Sequence, residues 1–503
     1  MGANFNLKTL TVAIAALSIA SVASAAGLDR SGQDITAFLQ DGLYAEAVYT
    51  YIDADVTGYD SANSLPNDNS YQQGKKIDDI AESYDFFRYG VKADINDTFS
   101  VGVLYDEPFG AAADYRGDNN FVAQGDINAS TVALTGGAAS DFNDARLQAG
   151  TLGAQARAAG AAAQGFAQQA ATATTPQAAA AFGAQAAASA AEARSLGEQA
   201  TFFGTAAAIA GAEASTAGEE TNVEVRSESI TAILGMKFGK NKNFQIYGGP
   251  VAQRIEADVE LRGTAYGPAT GYTTHISPEQ DYGYLAGISY SKPEIALKAA
   301  LTYRSEIDHS AQLSETYPIV GILENNPAAA NQNGTIDITT PKSVNFDFQT
   351  GINPTTLATL RMRYVPWSDF EITPPLYNEV SKRRTMDDKG LALVSYDDDQ
   401  YLVELGLAKR LSPALAVSGN IGWDSGAGDP TTSLGPIDGY YSVGLGAKYN
   451  VTPEWAVSAG GKYLWFGDAE GQIPTKKIVS NFEDNDGYIV GVKLSYQAKQ
   501  NFN

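Results

Sequence analysis

The sequence predicts an all-β fold, a transmembrane antiparallel β-barrel of about 14 strands with a short amino-terminal plug and an Ala-rich helical hairpin insertion. Two observations carry this prediction. Strand-like runs alternate large apolar residues with small or polar ones, most clearly between Tyr440 and Tyr496. Their apolar faces carry aromatic residues at both ends and aliphatic residues between, as lipid-facing strands do. A soluble β-sandwich also alternates, but its aromatic residues belong in mid-core.

Composition limits the function classes. The chain has 503 residues, with 34 Lys+Arg against 58 Asp+Glu and a net charge of −24. This acidic balance argues against a nucleic-acid partner, which requires a basic footprint. The chain has no cysteine and two histidines, His275 and His309. We therefore expect no thiolate metal site, no His-rich metal centre and no cofactor.

The amino end, residues 1–25, has the organisation of a signal peptide. Lys8 supplies a positive charge, an apolar core runs from Leu10 to about Ala20, and Ala23-Ser24-Ala25 supplies a small-residue cleavage pattern. The mature chain is predicted to begin at Ala26. The apolar core is too short for a spanning helix. Export together with strand alternation predicts the outer membrane of a Gram-negative bacterium.

Residues 26–42 form the predicted plug, and residues 43–140 contain the first barrel strands. Strands are expected at 43–58, 86–95 and 99–115. Pro108 lies inside the third strand, where it cannot donate a hydrogen bond to the sheet. It therefore indicates a bulge, a kink or an unpaired edge.

Residues 141–216 are mostly Ala with Gln, Gly and scattered charges. Ala is the best helix former, and Thr175-Pro176 restarts the pattern as an N-cap and first helical residue. Two antiparallel helices are predicted, and strand parity places them outside the cell. They are either a helical surface insertion without binding function or a receptor or oligomerisation arm.

The remaining barrel strands lie in residues 217–503. Beyond the three runs between Tyr440 and Tyr496, strands are expected at 223–238, 244–261, 282–291, 295–313, 343–352, 357–372, 391–411 and 415–423. Turns of a few residues alternate with long polar loops along this series. Outer-membrane barrels have short periplasmic turns and long extracellular loops, so the alternation supports the barrel.

The strand face opposite the aromatic residues would line the lumen, and it is enriched in Lys and Arg. Lys298, Arg304, Arg361 and Arg363 are the predicted substrate-binding residues. Arg361 and Arg363 lie two apart on one strand, so both guanidinium groups can donate to a carboxylate or phosphate. Alternatively, these cations pair with lumen carboxylates such as Asp347, Glu404 and Glu306.

Three motifs resemble the FadL-type transporters of long-chain fatty acids and other hydrophobic compounds. They are Leu104-Tyr105-Asp106-Glu107-Pro108-Phe109-Gly110, Tyr364-Val365-Pro366-Trp367-Ser368-Asp369-Phe370 and Lys462-Tyr463-Leu464-Trp465-Phe466-Gly467-Asp468-Ala469. The resemblance spans most of the mature chain. It implies a monomeric barrel that catches a hydrophobic substrate in an outer groove and passes it to an internal pocket. The substrate then leaves sideways where the third strand is kinked, here at Pro108, Phe109 and Gly110.

The sequence departs from the family pattern in three places. The plug is shorter and lacks an Asn-Pro-Ala segment, and the Ala-rich hairpin has no counterpart. The chain also ends on Phe502-Asn503, whereas outer-membrane barrels usually close on an aromatic residue. Because the plug is short and lacks the Asn-Pro-Ala segment, the sequence argues against movement of the plug on ligand binding.

The leading functional prediction is passive uptake of long-chain fatty acids or other hydrophobic molecules. The alternatives are a general diffusion porin for polar solutes and a surface adhesion protein that uses the Ala-rich arm. No catalytic site is predicted, because His309 near Ser305 and Ser310 is the one candidate pairing and no Gly-x-Ser-x-Gly motif occurs. Outer-membrane lipid and lipopolysaccharide are expected partners. Acidic runs such as Asp397-Asp398-Asp399 either hold Ca²⁺ or Mg²⁺ bridging to lipopolysaccharide or are solvated loops.

Overall fold

A computed structural model describes residues 28–63, 70–324 and 326–498. The predicted signal peptide, the predicted start at Ala26 and the Phe502-Asn503 end lie outside these ranges. Among the described residues, no helix is both long and apolar enough to cross a membrane.

Fourteen antiparallel strands of the described chain close into one barrel, which confirms the predicted fold class. The barrel closes because β1 (Leu43–Asp55) pairs with the strand that follows it and with the last strand. The others are β2 (Tyr84–Asp94), β3 (Phe99–Asp106 and Gly110–Asp114), β4 (Asn222–Phe238), β5 (Phe244–Glu260), β6 (Thr273–Lys292), β7 (Leu297–Arg304 and Ile307–Thr316), β8 (Asn331–Thr340 and Ser343–Asn353), β9 (Thr356–Val365), β10 (Gln400–Arg410), β11 (Leu415–Asp424), β12 (Tyr440–Asn450), β13 (Trp455–Phe466) and β14 (Asp486–Ala498).

Strands β3, β7 and β8 are each interrupted once. Both segments of β3 pair with β4, and the register places Asp106 opposite Ser229 and Gly110 opposite Arg226. Three residues of β3 thus face two of β4, which is a bulge. Pro108 lies within that bulge. A bulge accommodates proline because the residue has no amide hydrogen to donate to the ladder.

The outer surface of the barrel is apolar. On β12, Tyr441, Val443 and Leu445 are exposed, and the exposed fraction of Leu445 reaches 70%. The alternate residues Ser442 and Lys448 point inward and are buried. An apolar outer band on a closed antiparallel barrel is the surface that lipid requires, so these strands span an outer membrane.

The two ends of the barrel differ in their connections. One end, called the turn end, carries the short turns, such as those that join β2 to β3 and β4 to β5. The opposite loop end carries the long connections, including a five-stranded sheet and a two-stranded sheet. The extra strands are Gly58–Ser61, Gln73–Ile77, Thr431–Thr432, Ala469–Gln472 and Ile478–Phe482 in the first sheet, and Glu371–Ile372 with Val394–Ser395 in the second.

Five helices of the described chain lie in the connections of the loop end. They are α1 (Ile127–Leu134), α2 (Phe142–Thr172), α3 (Pro176–Ser215), α4 (Pro318–Leu323) and α5 (Pro375–Thr385). Short 3-10 turns occur at Thr264–Ala269, Pro293–Ile295, Pro327–Ala330 and Trp367–Asp369.

Helices α2 and α3 form the predicted Ala-rich hairpin. The Asp141 side chain accepts from the amide of Asp144, and the Thr175 side chain accepts from the amide of Ala178, so both helices begin with a side-chain cap. Most of the hairpin is exposed, and its base packs through Phe203 and Ala207. At 1.5 Å per residue the longer helix extends about 60 Å. The function of the hairpin stays a prediction.

Candidate functional site

Residues 28–42, called the plug, lie inside the lumen. Ile35 and Phe38 are fully buried there, and the Phe38 ring lies 5.6 Å from the ring of Tyr247 on the barrel wall. The wall leaves room for this ring, because a Cβ atom on Gly102 would lie 2.7 Å from Cδ2 of Phe38. The apolar half of the plug therefore fits the wall closely.

The polar half of the plug is held by the predicted substrate-binding arginines. Arg363 donates from Nε and Nη2 to the two carboxylate oxygens of Asp29, at 2.7 and 2.9 Å. Its Nη1 donates to Oδ1 of Asn345 at 2.8 Å. Both charged side chains are almost completely buried, so this bidentate pair is shielded from solvent.

A second plug carboxylate, Asp34, lies between two arginines. Nη1 of Arg88 lies 3.2 Å from Oδ2 of Asp34, and Nη2 of Arg361 lies 3.3 Å from the same atom. Arg361 also donates from Nε to Asp347 at 3.0 Å. Burial alone would raise the pKa of Asp34, but the two guanidinium groups outweigh it and hold the pKa below its ordinary value.

The other two predicted cations, Lys298 and Arg304, have different partners. Lys298 donates to the backbone oxygen of Leu39 in the plug, whereas Arg304 donates to Thr231 on the wall at 3.1 Å. Three of the four predicted residues thus contact the plug. Of the predicted alternative partners, Asp347 accepts a hydrogen bond from Arg361, and Glu404 interacts with Arg361 electrostatically. Their role in substrate binding stays a prediction, and in this structure their donors are directed mainly to the plug.

The start of the plug pairs with the kink of β3. The amide of Arg30 donates to the backbone oxygen of Pro108 at 2.9 Å, and the amide of Gly110 donates to that of Leu28 at 2.8 Å. On the other side, the Ser227 hydroxyl accepts from the Phe109 amide at 2.8 Å and donates to its oxygen at 2.7 Å. The kink therefore points into the lumen, where the plug satisfies its backbone groups.

The kink leaves an opening between β2 and β3. The ladder between these strands ends at Tyr89 and Tyr105, and one bridge resumes at Ala81 and Ala113. Between these points, residues 84–88 of β2 and residues 106–111 of β3 have no ladder pairing with each other, although outside the bulge they pair with β1 and β4 on their other sides. We call this opening the β2–β3 window.

The side chain of Arg30 occupies the window. Its Cζ atom lies 4.1 Å from the centroid of the Tyr84 ring, a cation–π contact. A Cβ atom on Gly110 would lie 2.3 Å from that Cζ atom, so a larger residue there would displace the guanidinium. The guanidinium therefore spans from β2 to β3. The sequence predicted a lateral opening at Pro108, Phe109 and Gly110, which stays a prediction, and it did not indicate Arg30 or Tyr84.

An apolar pocket adjoins the kink on its lumen side. It encloses about 420 Å³ of space, which includes some open solvent. Leu28 of the plug, Phe109 of the kink and the fully buried Trp367 all line it. The rest of its lining is Val225, Ser227, Ile255, Glu256, Ala257, Ile276, Ile338, Thr340, Pro341, Phe370 and Ile372.

The walls of the pocket are aromatic at one end. The Trp367 ring meets Phe109 edge-on at 5.6 Å and meets Phe370 edge-on at 5.4 Å. Trp367 donates from Nε1 to Gln400 at 3.0 Å, so its one polar atom is satisfied away from the pocket. Trp367 and Phe370 belong to the motif Tyr364–Phe370, which resembles the FadL-type transporters. The sequence of this motif alone did not indicate a pocket.

No protein-family model matches the chain. No curated protein matches it either. Its structure is similar to a crystal structure of a FadL homologue from Pseudomonas aeruginosa, with a TM-score of 0.57, 11% identity, and coverage of 94% of this chain and 96% of that one. The toluene transporter TodX from P. putida gives 0.49 and 12%, covering 92% of each chain. The toluene transporter TbuX from Ralstonia pickettii gives 0.46 and 9%, covering 91% of this chain and 90% of that one.

Proposed function

Because the chain has the barrel fold of the FadL-type transporters, we propose that it takes up hydrophobic molecules passively across the outer membrane of a Gram-negative bacterium. The observation that carries this proposal is the apolar pocket between Leu28 of the plug and Phe109 of the kink. An apolar solute gains free energy on leaving water for such a lining. TodX and TbuX, which have related folds, are described as toluene transporters.

The proposed route begins at the loop end, which we take to be extracellular. The solute reaches the pocket and then leaves through the β2–β3 window into the bilayer. Lateral exit suits an apolar solute because the bilayer is also apolar. Exit through the turn end would instead be hindered by the plug. In this proposal the protein is a monomer surrounded by outer-membrane lipid and lipopolysaccharide, and the α2–α3 hairpin projects from the cell.

The polar-porin alternative has less support. Ile35, Phe38 and Leu39 pack within the lumen against wall residues such as Tyr247 and Leu285, where a porin would need water. The adhesion alternative rests on the exposed hairpin alone and stays a prediction.

A catalytic role also has little support from the geometry. His309 is buried, and its Nε2 lies 3.1 Å from Gln253, whereas the Ser305 hydroxyl accepts from the amide of Tyr284. Neither contact joins the histidine to a serine nucleophile.

Among the described residues, no group of three or more His, Asp or Glu side chains is placed to hold a metal ion. In the acidic run that starts at Asp397, that residue contacts Lys476 at 3.0 Å. Cation bridging to lipopolysaccharide through this run stays a prediction.

Uptake by cells tests the proposal. A Gram-negative strain without its own hydrophobic-compound channel would carry this chain or an empty vector, and would receive labelled naphthalene or palmitate. We expect saturable uptake that exceeds the vector control. Ala257→Phe would fill the pocket and lower uptake, whereas Ala416→Phe, a buried substitution in a different apolar cluster, has a similar packing cost and keeps uptake. Equal uptake by both variants would count against the pocket as the route.

A further inference from the structure

We propose that the barrel holds a site for a small inorganic anion, such as chloride, on its inner wall near the turn end. The site lies between Lys448 of β12, Ser458 of β13 and Lys493 of β14. These residues do not line the apolar pocket, and the inference is independent of the proposed transport function. It is carried by a buried cation without a counter-charge, a buried hydroxyl without a partner, and the space beside them.

Three neighbouring strands bring the side chains of the site together. Lys448 is directly opposite Ser458 in the β12–β13 ladder, and Ser458 is directly opposite Lys493 in the β13–β14 ladder. Directly opposite residues project from the same face of a sheet. The exposed fractions of Lys448, Ser458 and Lys493 are 6%, 1% and 1%, so all three are buried on the lumen side. The backbones of the two lysines are about 10 Å apart, which lets both flexible side chains reach an ion in front of Ser458.

Lys448 is a buried charge without a counter-charge. Its ammonium group forms no ion pair and no hydrogen bond within the described part of the chain. The repulsion that it experiences from Lys493 is larger than its attraction to Glu46. A buried ammonium group without a partner is costly, because the interior solvates it poorly. An anion beside Lys448 would supply the missing negative charge.

Glu46 of β1, the carboxylate that attracts Lys448, is already shared by other groups. It lies 3.5 Å from Nζ of Lys493 and 3.7 Å from Nη2 of Arg88. It also accepts a hydrogen bond from the Tyr44 hydroxyl at 2.7 Å. One carboxylate thus serves two cations, and Lys448 adds a further positive charge to this part of the wall.

Ser458 supplies a hydroxyl at the centre of the row. Its side-chain oxygen is buried and has no hydrogen-bond partner among residues 28–63, 70–324 and 326–498. A buried hydroxyl normally forms at least one hydrogen bond. A chloride ion in front of Ser458 would accept from this hydroxyl and from the ammonium group of Lys448, so one ion would satisfy both groups.

The positive row continues on the other side of Lys448. Lys448 is directly opposite Ala416 of β11, and Ala416 is directly opposite Arg410 of β10. Nη1 of Arg410 is buried and likewise has no hydrogen-bond partner among the described residues. The inner wall at this level therefore carries Arg410, Lys448 and Lys493, and their summed field attracts small anions.

The wall beside the row carries no side chains. The next inward positions toward the loop end are Gly446, Gly460 and Gly491, which are opposite one another in the same two ladders. On β2 the plug fills such a gap, because a Cβ atom on Gly90 would lie 2.7 Å from Cβ of Ala37. A Cβ atom on Gly460 would instead have backbone atoms of β12 as its three nearest neighbours, the first at 3.0 Å. The plug therefore does not pack against Gly460, which leaves space for an ion beside Lys448 and Ser458.

Chloride binding to the purified full-length protein tests the site. The line width of the chlorine NMR signal is measured in a non-ionic detergent at constant ionic strength, with gluconate replacing chloride. We expect saturable broadening that bromide reverses. Lys448→Met should weaken chloride binding by at least about tenfold, because a charge-assisted hydrogen bond is lost. Ser458→Ala should weaken it by about fivefold, because a neutral hydrogen bond is lost.

Lys240→Met is the matched control, because Lys240 is an exposed lysine in the turn between β4 and β5 at the same end of the barrel. This variant should bind chloride as the parent protein does. The absence of saturable broadening in the parent protein would overturn the site, and this result requires no variant to fold. Equal chloride affinity in Lys448→Met and the parent would also overturn it. Displacement of chloride by octanoate would assign the lysines to a carboxylate ligand and overturn the inorganic-anion site.

Discussion

Replacing Arg30 by Ala should open the β2–β3 window. The Arg30 guanidinium is the plug group that lies in this opening, over the Tyr84 ring and against Gly110. Its backbone is held separately by the hydrogen bond to Pro108. The substitution therefore removes the side chain from the window while the start of the plug keeps its attachment.

The size of the effect follows from the contact that is lost. A cation–π contact removed from bulk water is worth about 1 to 2 kcal/mol. If this contact favours the closed window, its loss shifts the ratio of open to closed molecules by about 5- to 30-fold. Within the described ranges, Nε of Arg30 has no hydrogen-bond partner, so no lost hydrogen bond adds to this figure.

Thiol labelling measures this ratio, because the chain has no cysteine of its own. Ala112 lies two residues beyond Gly110 on the same strand and shares its face. In Ala112→Cys, a lipophilic maleimide should react about 5- to 30-fold faster when Arg30→Ala is added. Arg226→Ala removes an exposed arginine from the neighbouring strand β4 and is the matched control. An unchanged rate in Arg30→Ala, or the same increase in Arg226→Ala, would refute the role of Arg30.

The other predictions concern the plug and the hairpin. Asp29→Asn should lower the free energy of unfolding by about 3 to 5 kcal/mol because Arg363 becomes a buried unpaired charge, and adding Arg363→Met should restore most of it, as urea denaturation would show. The lowered pKa of Asp34 means that its contribution to stability is present above the unfolded pKa of about 4 and is lost as the pH falls below it. The ion pairs that Asp34 makes with Arg88 and Arg361 should therefore stabilise the plug down to about pH 4, so Asp34→Asn should make the plug more sensitive to protease at pH 6; equal cleavage of the variant and the parent protein at pH 6 would contradict this. Deleting residues 142–215 should leave naphthalene uptake intact if the hairpin serves only the cell surface.

The barrel was predictable because lipid imposes one pattern on every strand. Outward residues must be apolar inside the bilayer, so strands such as β12 show alternation in the sequence alone. Outside the bilayer that constraint ends. The segment Asn331–Thr340 was missed because its outward residues are polar, and the strand predicted at 391–411 begins only at Gln400. In this region strands, turns and helices pack together without a lipid-facing side.

The site was predictable only in part. The inward direction of Arg361 and Arg363 follows from strand alternation, and the kink follows from Pro108. The partners of these arginines cannot be predicted in this way, because Asp29 and Arg363 are separated by 334 residues and no local sequence pattern connects them. The pocket likewise combines Leu28, Phe109 and Trp367 from three distant parts of the chain. Only the closed barrel brings these residues together.

Different residues of the plug anchor it to the barrel wall and line the pocket and the window. Asp29 and Asp34 anchor the plug to buried arginines, while Leu28 forms part of the pocket and Arg30 occupies the window. Leu28 and Arg30 flank Asp29, so one buried ion pair positions both the pocket lining and the group in the window. Breaking a buried pair costs more than moving one exposed or stacked side chain. On the proposed route, the window opens by movement of the Arg30 side chain while the Asp29–Arg363 pair keeps the plug in the lumen, so that passage of a solute does not require the plug to leave.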